Sequence, residues 1–121
     1  MKIGEIEIKW LGHAGFLIKN SKVIYIDPYN IKSEEPADII LITHGHYDHC
    51  SVEDMKKIIQ EGTKIFVTAD AQSKVARFDI PIKIEVVEPG QEFDLGDVKI
   101  ETFLSYNIDK KIKNINIIPF Y

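Results

Sequence analysis

Asp38-Ile39-Ile40-Leu41-Ile42-Thr43-His44-Gly45-His46-Tyr47-Asp48-His49 is the stretch on which the reading of this sequence turns. Its first half is a nearly unbroken aliphatic run, the pattern of a strand covered on both faces. Directly after it, Ser51-Val52-Glu53-Asp54 has the form of a capping box: Ser51 can accept from the Asp54 N–H, and the Asp54 carboxylate can reach back. Met55, Ile58 and Ile59 then recur at helical spacing, and Gly62 is a natural stop, which predicts a helix from about Val52 to Glu61. The histidine-rich segment therefore lies on a loop between the C-terminal end of a buried strand and the start of a capped helix.

Three of the four histidines in the chain fall between positions 44 and 49, beside the carboxylate of Asp48. Neutral imidazole and carboxylate oxygen are ligands for zinc and its divalent neighbours. A loop at a strand's C-terminal end combines a rigid base with freedom to aim side chains inward. His44 and His46 alternate and can point to one side, while Asp48 and His49 turn back towards a second position, an arrangement that fits two metal ions. The alternative is a polar loop of solvated histidines; density, spacing and placement all argue against it.

Outward from this segment the chain reads as α/β. Ile3–Trp10 alternates, with Ile6, Ile8 and Trp10 on one face and Glu5, Glu7 and Lys9 on the other, as in a half-buried strand. Phe16–Lys19 and Val23–Asp27 are β-rich and joined by a turn at Asn20-Ser21, and the proline-containing stretch from Pro28 to Ala37 reads as a loop. Downstream, Ile65–Thr68, Ile82–Val87, Glu92–Leu95 and Val98–Phe103 read as strands. Asp70–Phe78 reads as a short helix turning Ala71, Val75 and Phe78 to the core. Lys110–Tyr121 has no acidic residue and no clear turn or helix cap, so it is a strand fragment or a frayed tail.

The 121 residues are 45% apolar, enough for one domain with a buried core. Fifteen basic against 19 acidic side chains leave a charge of −4, which argues against a nucleic-acid binder working by phosphate neutralisation. The single cysteine excludes an internal disulfide framework and fits a reducing compartment. Met1–Trp10 has no apolar core of a secretory signal, and no apolar run is long enough to span a bilayer. A cytoplasmic domain with no membrane partner is expected.

His44-Gly45-His46-Tyr47-Asp48-His49 fits the His-x-His-x-Asp-His signature of the metallo-β-lactamase-fold hydrolases, and the sequence resembles that family. Its flanks are similar to the branch that includes ascorbate-6-phosphate lactonase: Trp10–Phe16, Ile26-Asp27-Pro28-Tyr29, Ala37–His44 and Val87-Glu88-Pro89-Gly90. The resemblance runs from about residue 3 to about residue 111. It implies that His44 and His46 hold a first metal ion, that Asp48 and His49 hold a second, and that the metal is zinc, with manganese or iron also accepting these ligands. Such metals lower the pKa of water and polarise an ester, lactone or phosphoester oxygen of a small-molecule substrate. Asp48 would be both ligand and catalytic holder of that water. Asp27 resembles the family's inner carboxylate, which buttresses the metal loop; on general grounds it is equally an Asp-Pro turn. His13, in a glycine-flanked turn, resembles the branch's pocket-edge histidine, and a hydrogen-bonded structural role fits it as well. Cys50 reads as a small buried side chain rather than a ligand, Tyr47 as an exposed loop residue, and Lys110, Lys111 and Lys113 as a solvated end.

The family fold is a four-layer αββα sandwich whose site takes ligands from two halves. No histidine follows His49, and Lys113 stands where a later one would be sought. The expectation is therefore the first half of that domain over residues 1–109, with a divergent tail over 110–121. A half leaves an apolar sheet face that a second copy can cover in a homodimer. The competing reading is a non-catalytic module that binds metal or protein without turnover.

Overall fold

The computed structural model describes residues 2–3, 6–12, 15–32, 35–43, 50–75, 78–96, 98–106 and 111–119; of residues 2–3, 98, 103–106 and 111–119 it describes the backbone alone. Strands β1 (Lys2–Ile3), β2 (Ile6–Gly12), β3 (Gly15–Lys19), β4 (Val23–Ile26), β5 (Ile39–Ile42), β6 (Lys64–Thr68) and β7 (Lys83–Val87) form one seven-stranded sheet in chain order. Short turns leave β1 to β4 antiparallel, whereas β4 to β7 run parallel. Parallel neighbours need long crossovers. Helix α1 (Val52–Ile58) lies in the β5–β6 connection, and a 3-10 turn (Ala69–Ala71) with helix α2 (Gln72–Val75) lies in the β6–β7 connection. A second sheet holds β8 (Glu92–Asp94), β9 (Val98–Tyr106) and β10 (Lys111–Pro119), in the order β10-β9-β8 and all antiparallel.

Two cores lie on the two faces of the large sheet. Towards the helices, Leu17, Tyr25, Ile40, Ile42, Ile65 and Val67 pack with Met55, Ile58, Ala71 and Val75. Towards the small sheet, Ile24, Ile39, Leu41 and Phe66 pack with Val87, Ile100 and Phe93, the Phe66 and Phe93 rings meeting edge to face at 5.0 Å. The layers are helix, sheet, sheet: three of the four in an αββα sandwich. Among the described residues no helix is long and apolar enough to cross a membrane.

Several expectations need correction. Trp10 shares a face with Ile8 but is 65% exposed, and its register partner Phe16 is 38% exposed. Among the described residues, the core on the small-sheet side holds Ile24, Ile39, Leu41 and Phe66 and includes neither Trp10 nor Phe16. Helix α1 stops at Ile58, because Ile59 turns extended (φ −70°, ψ 146°). Gly62, at φ +88°, instead serves the turn into β6, where its N–H donates to the Pro81 carbonyl. The single helix expected over 70–78 is a 3-10 turn followed by four α residues; Ala71 and Val75 are fully buried as expected, and Phe78 is half-buried. Of the two readings of the C-terminal stretch, Lys111–Pro119 is a strand, paired with β9 over nine residues with Ile117 opposite Ile100.

The cap of α1 does more than a capping box. The Ser51 hydroxyl accepts from the Asp54 N–H at 3.4 Å and donates to the Asp54 carboxylate at 2.6 Å. The same carboxylate, 5% exposed, accepts the N–H groups of Asn30 and Ile31 (2.8 and 3.0 Å) and the Lys57 ammonium (3.2 Å). It thus ties the loop after β4 to the helix after β5. Burial alone would raise the Asp54 pKa; the hydrogen bonds from Ser51, Asn30, Ile31 and Lys57 outweigh it and hold the group below the usual carboxylate value. Asp54→Ala is expected to cost about 2–4 kcal/mol in urea unfolding, because several donors lose a buried acceptor at once. The Asp54 contribution is complete above the unfolded carboxylate pKa of about 3.9 and is lost as pH falls through the lower native value, so the gap between wild type and variant should close in acid.

Candidate metal centre

The parallel strands bring their C-terminal ends to one edge of the large sheet. Asp27 follows β4, Thr43 follows β5, and Thr68 ends β6. The β2–β3 hairpin arrives at the same edge, since Phe16 pairs with Ile26. Gly15 sits where a Cβ would meet the Asp27 carbonyl oxygen at 3.0 Å, so the hairpin backbone lies directly on the Asp27 backbone. A Cβ there would crowd a backbone carbonyl more closely than ordinary contacts do, which favours glycine at this position.

Asp27 organises this edge. It is 2% exposed and holds a left-handed backbone, φ 43°, a conformation that costs about 1–3 kcal/mol outside glycine. Its own N–H donates to the Leu41 carbonyl at 2.9 Å. Its carboxylate accepts the Thr43 N–H at 2.7 Å and the Thr43 hydroxyl in a second, shorter bond. Two hydrogen bonds from one residue fix where the chain leaves β5. The Asp-Pro turn and the buttress are therefore one feature: the turn after β4 aims the carboxylate at the root of the next loop.

The other root of that loop is held as firmly. Cys50 is buried in the core cluster that also holds Met55 and Ile42, and Ser51 is bound to Asp54. Burial pushes the Cys50 pKa up, the Lys74 ammonium pulls it back, and the Asp27 and Asp70 carboxylates raise it further, to about 11. The thiol stays protonated near neutral pH and packs as a small apolar group. Asp70 in turn accepts the Thr68 hydroxyl.

His44, His46, Tyr47, Asp48 and His49 lie outside the described residues, as does His13. Among the described residues, no three histidine, cysteine, aspartate or glutamate side chains converge on a common point. The structure brings together the two roots of the loop, Asp27 and the glycines that flank His13. Between those roots, three imidazoles and one carboxylate make a donor set that fits a borderline divalent ion such as zinc. Thr43, Asp54 and Thr68 were not singled out from the sequence for this edge. A hydroxyl at the last residue of a buried strand was the available signal for Thr43 and Thr68.

A beta-lactamase superfamily domain model matches residues 7–117. The chain belongs to that superfamily. It is similar to a UPF0173 protein of Pyrococcus abyssi, 37% identical over 109 residues that cover 81% of this chain and 48% of that one. A UPF0173 metal-dependent hydrolase of Thermoplasma acidophilum is 30% identical over 108 residues, 83% of this chain and 47% of its own length. In three dimensions the chain resembles a Parabacteroides distasonis protein assigned as a metal-dependent hydrolase, with a TM-score of 0.82 at 21% identity over 94% of this chain and 56% of that one. This superfamily member thus spans about half the length of the relatives it matches. The matched stretch Val87–Gly90 has a structural explanation: the buried Thr102 hydroxyl donates to the Glu88 carbonyl, and the Gly90 N–H donates to the Thr102 carbonyl at 2.7 Å, which locks the β7–β8 turn to β9.

Thr43→Val removes the hydroxyl donor to Asp27 while keeping the side-chain shape and the backbone donor. A loss of about 1–3 kcal/mol in chemical denaturation is expected, because a buried carboxylate gives up a charge-assisted bond.

Proposed function

We propose that this chain carries the metal-holding loop of a metal-dependent hydrolase of the beta-lactamase superfamily, acting on an ester, lactone or phosphoester bond of a small molecule. His44 and His46 would hold a first zinc ion, and Asp48 and His49 a second. Bound there, zinc would polarise the scissile oxygen and make water acidic enough to react near neutral pH. The chain's own residues do the rest. Asp48 accepts a hydrogen bond from the attacking water and orients it. Asp27 keeps the loop's first root in place through Thr43, and the Ser51–Asp54 pair keeps the second. His13 would line the pocket edge, and the Gly15 backbone that follows it in the chain lies against Asp27.

The observation that carries this reading is the buried Asp27 carboxylate spent on Thr43. A strained aspartate locked onto the residue next to His44 is a costly way to build an ordinary loop, and a sensible one where ligand side chains must be aimed. The relatives named as metal-dependent hydrolases support the same chemistry.

A second reading has its own support. The four ligands proposed on this loop give each ion two protein groups, and catalytic zinc normally takes three. A module that holds metal without turnover is consistent with that. Alternatively a second copy completes the site in a homodimer, covering the exposed Trp10 and Phe16 pair.

Isothermal titration with zinc tests the leading reading. The wild type should take up zinc, and His44→Ala/His46→Ala should weaken uptake about 100-fold or more, at the cost of two ligands. Equal uptake by the variant would end the proposal. Zinc binding without hydrolysis of generic phosphodiester or lactone substrates would select the non-catalytic module. A sedimenting species of twice the chain mass at micromolar concentration is the outcome expected for the homodimer, and a monomer would refute it.

A further inference from the structure

The large sheet has a second end, where its parallel strands begin. An open groove of about 280 Å³ lies there, lined by Lys22, Asp38, Ile39, Gly62, Lys64, Lys83 and Leu95. It opens between the two sheets, since Ile39 and Leu95 belong to the core that joins them. Among the described residues that line it, three are lysines and one is a carboxylate, in a chain whose total charge is −4.

The lysines are not scattered over a surface. Lys64 and Lys83 are register partners at the starts of β6 and β7, so their side chains leave the same face of adjacent strands. Like charges in that position repel each other. Among the described residues neither makes an ion pair; the Lys64 ammonium lies 5.0 Å from the Phe66 ring centroid, which keeps it against the sheet. Lys22 reaches the groove from the β3–β4 turn, where its ammonium donates to the Leu95 carbonyl at 3.3 Å. Asp38, the carboxylate among the described lining residues, accepts the Val23 N–H at 2.8 Å. At about 30 Å³ per water, the volume holds an oxyanion with several waters around it.

We propose that this groove is a binding site for a phosphoryl group, with Lys64 and Lys83 as its charged pair and Lys22 as a third donor. A doubly charged oxyanion between the two register partners removes their repulsion and accepts hydrogen bonds from both. The site is separate from the metal-holding loop, which lies beyond the opposite ends of β5 and β6, about 13–17 Å away along the strands. It depends on none of the residues assigned to hydrolysis.

Titration with inorganic phosphate at constant ionic strength, balanced with chloride and followed by amide NMR, tests the proposal. The amides of Gly62, Lys64, Lys83 and Leu95 should shift saturably, and the melting temperature should rise with phosphate beyond its rise with chloride. In Lys64→Gln/Lys83→Gln the dissociation constant should weaken about tenfold or more, the loss of one charged hydrogen bond at least. That variant should fold, since it removes a repulsion, and its melting temperature without phosphate at low salt should match or exceed that of the wild type. His44→Ala/His46→Ala should bind phosphate as the wild type does, which separates this site from the metal reading. Absence of a saturable shift, an unchanged constant in the lysine variant, or shifts confined to Asp27, Thr43 and Cys50 would overturn it.

Discussion

Ile39, Ile40, Leu41 and Ile42 are shut off from water on both sides of one short strand, none more than 3% exposed. Alternate side chains serve different cores: Ile40 and Ile42 meet the helices, and Ile39 and Leu41 meet the small sheet. At about 1.5–3 kcal/mol for each buried aliphatic side chain, this strand joins three layers through four residues. Thr43, which Asp27 grips, follows it directly in the chain. Apolar packing thus anchors the strand, and the hydrogen bonds of Thr43 to Asp27 fix the direction in which the chain leaves it.

The polar groups then divide by strand direction. Carboxylates collect where the parallel strands finish: Asp27 on Thr43, Asp70 on Thr68 and Asp54 on the helix cap, each engaged by hydroxyl or amide donors. Lysines collect where the same strands begin, at positions 22, 64 and 83. One end thus carries hydrogen-bonded acids, two of them buried, while the other carries positive charge close to open water. Such an asymmetry follows from parallel pairing, which puts every strand's start on one edge and every finish on the other.

Much of this was legible in the residues. The doubly buried strand, the Ser51 cap, the helical spacing of Met55 and Ile58, and the paired glycines around His13 all follow from local pattern, and each is found at or within a few residues of its expected place. Asp27 was legible as an inner carboxylate only through resemblance; from the residues alone, a turn before proline was an equal reading. Trp10 shows where local pattern fails. Its alternation with Ile6 and Ile8 is correct, yet alternation states only which face a side chain takes and not whether another layer covers it, and Trp10 is 65% exposed. The helix expected over 70–78 holds in part: spacing placed Ala71 and Val75 correctly in the core, and the chain is helical from Ala69 to Val75, but its first turn is 3-10 rather than α.

By itself, then, the sequence determined the kind of each central element, the donor chemistry of the loop at 44–49, and the membership that such a loop with such flanks carries. These depend on neighbours a few positions apart. The tertiary structure alone decided that Asp27 grips Thr43 across 16 positions, that Asp54 reaches Asn30 and Ile31, that Lys64 and Lys83 stand side by side, and that Trp10 stays in water. Each of those depends on strand register and on where one layer stops over another, quantities set by the simultaneous packing of distant segments and by no single stretch of the chain.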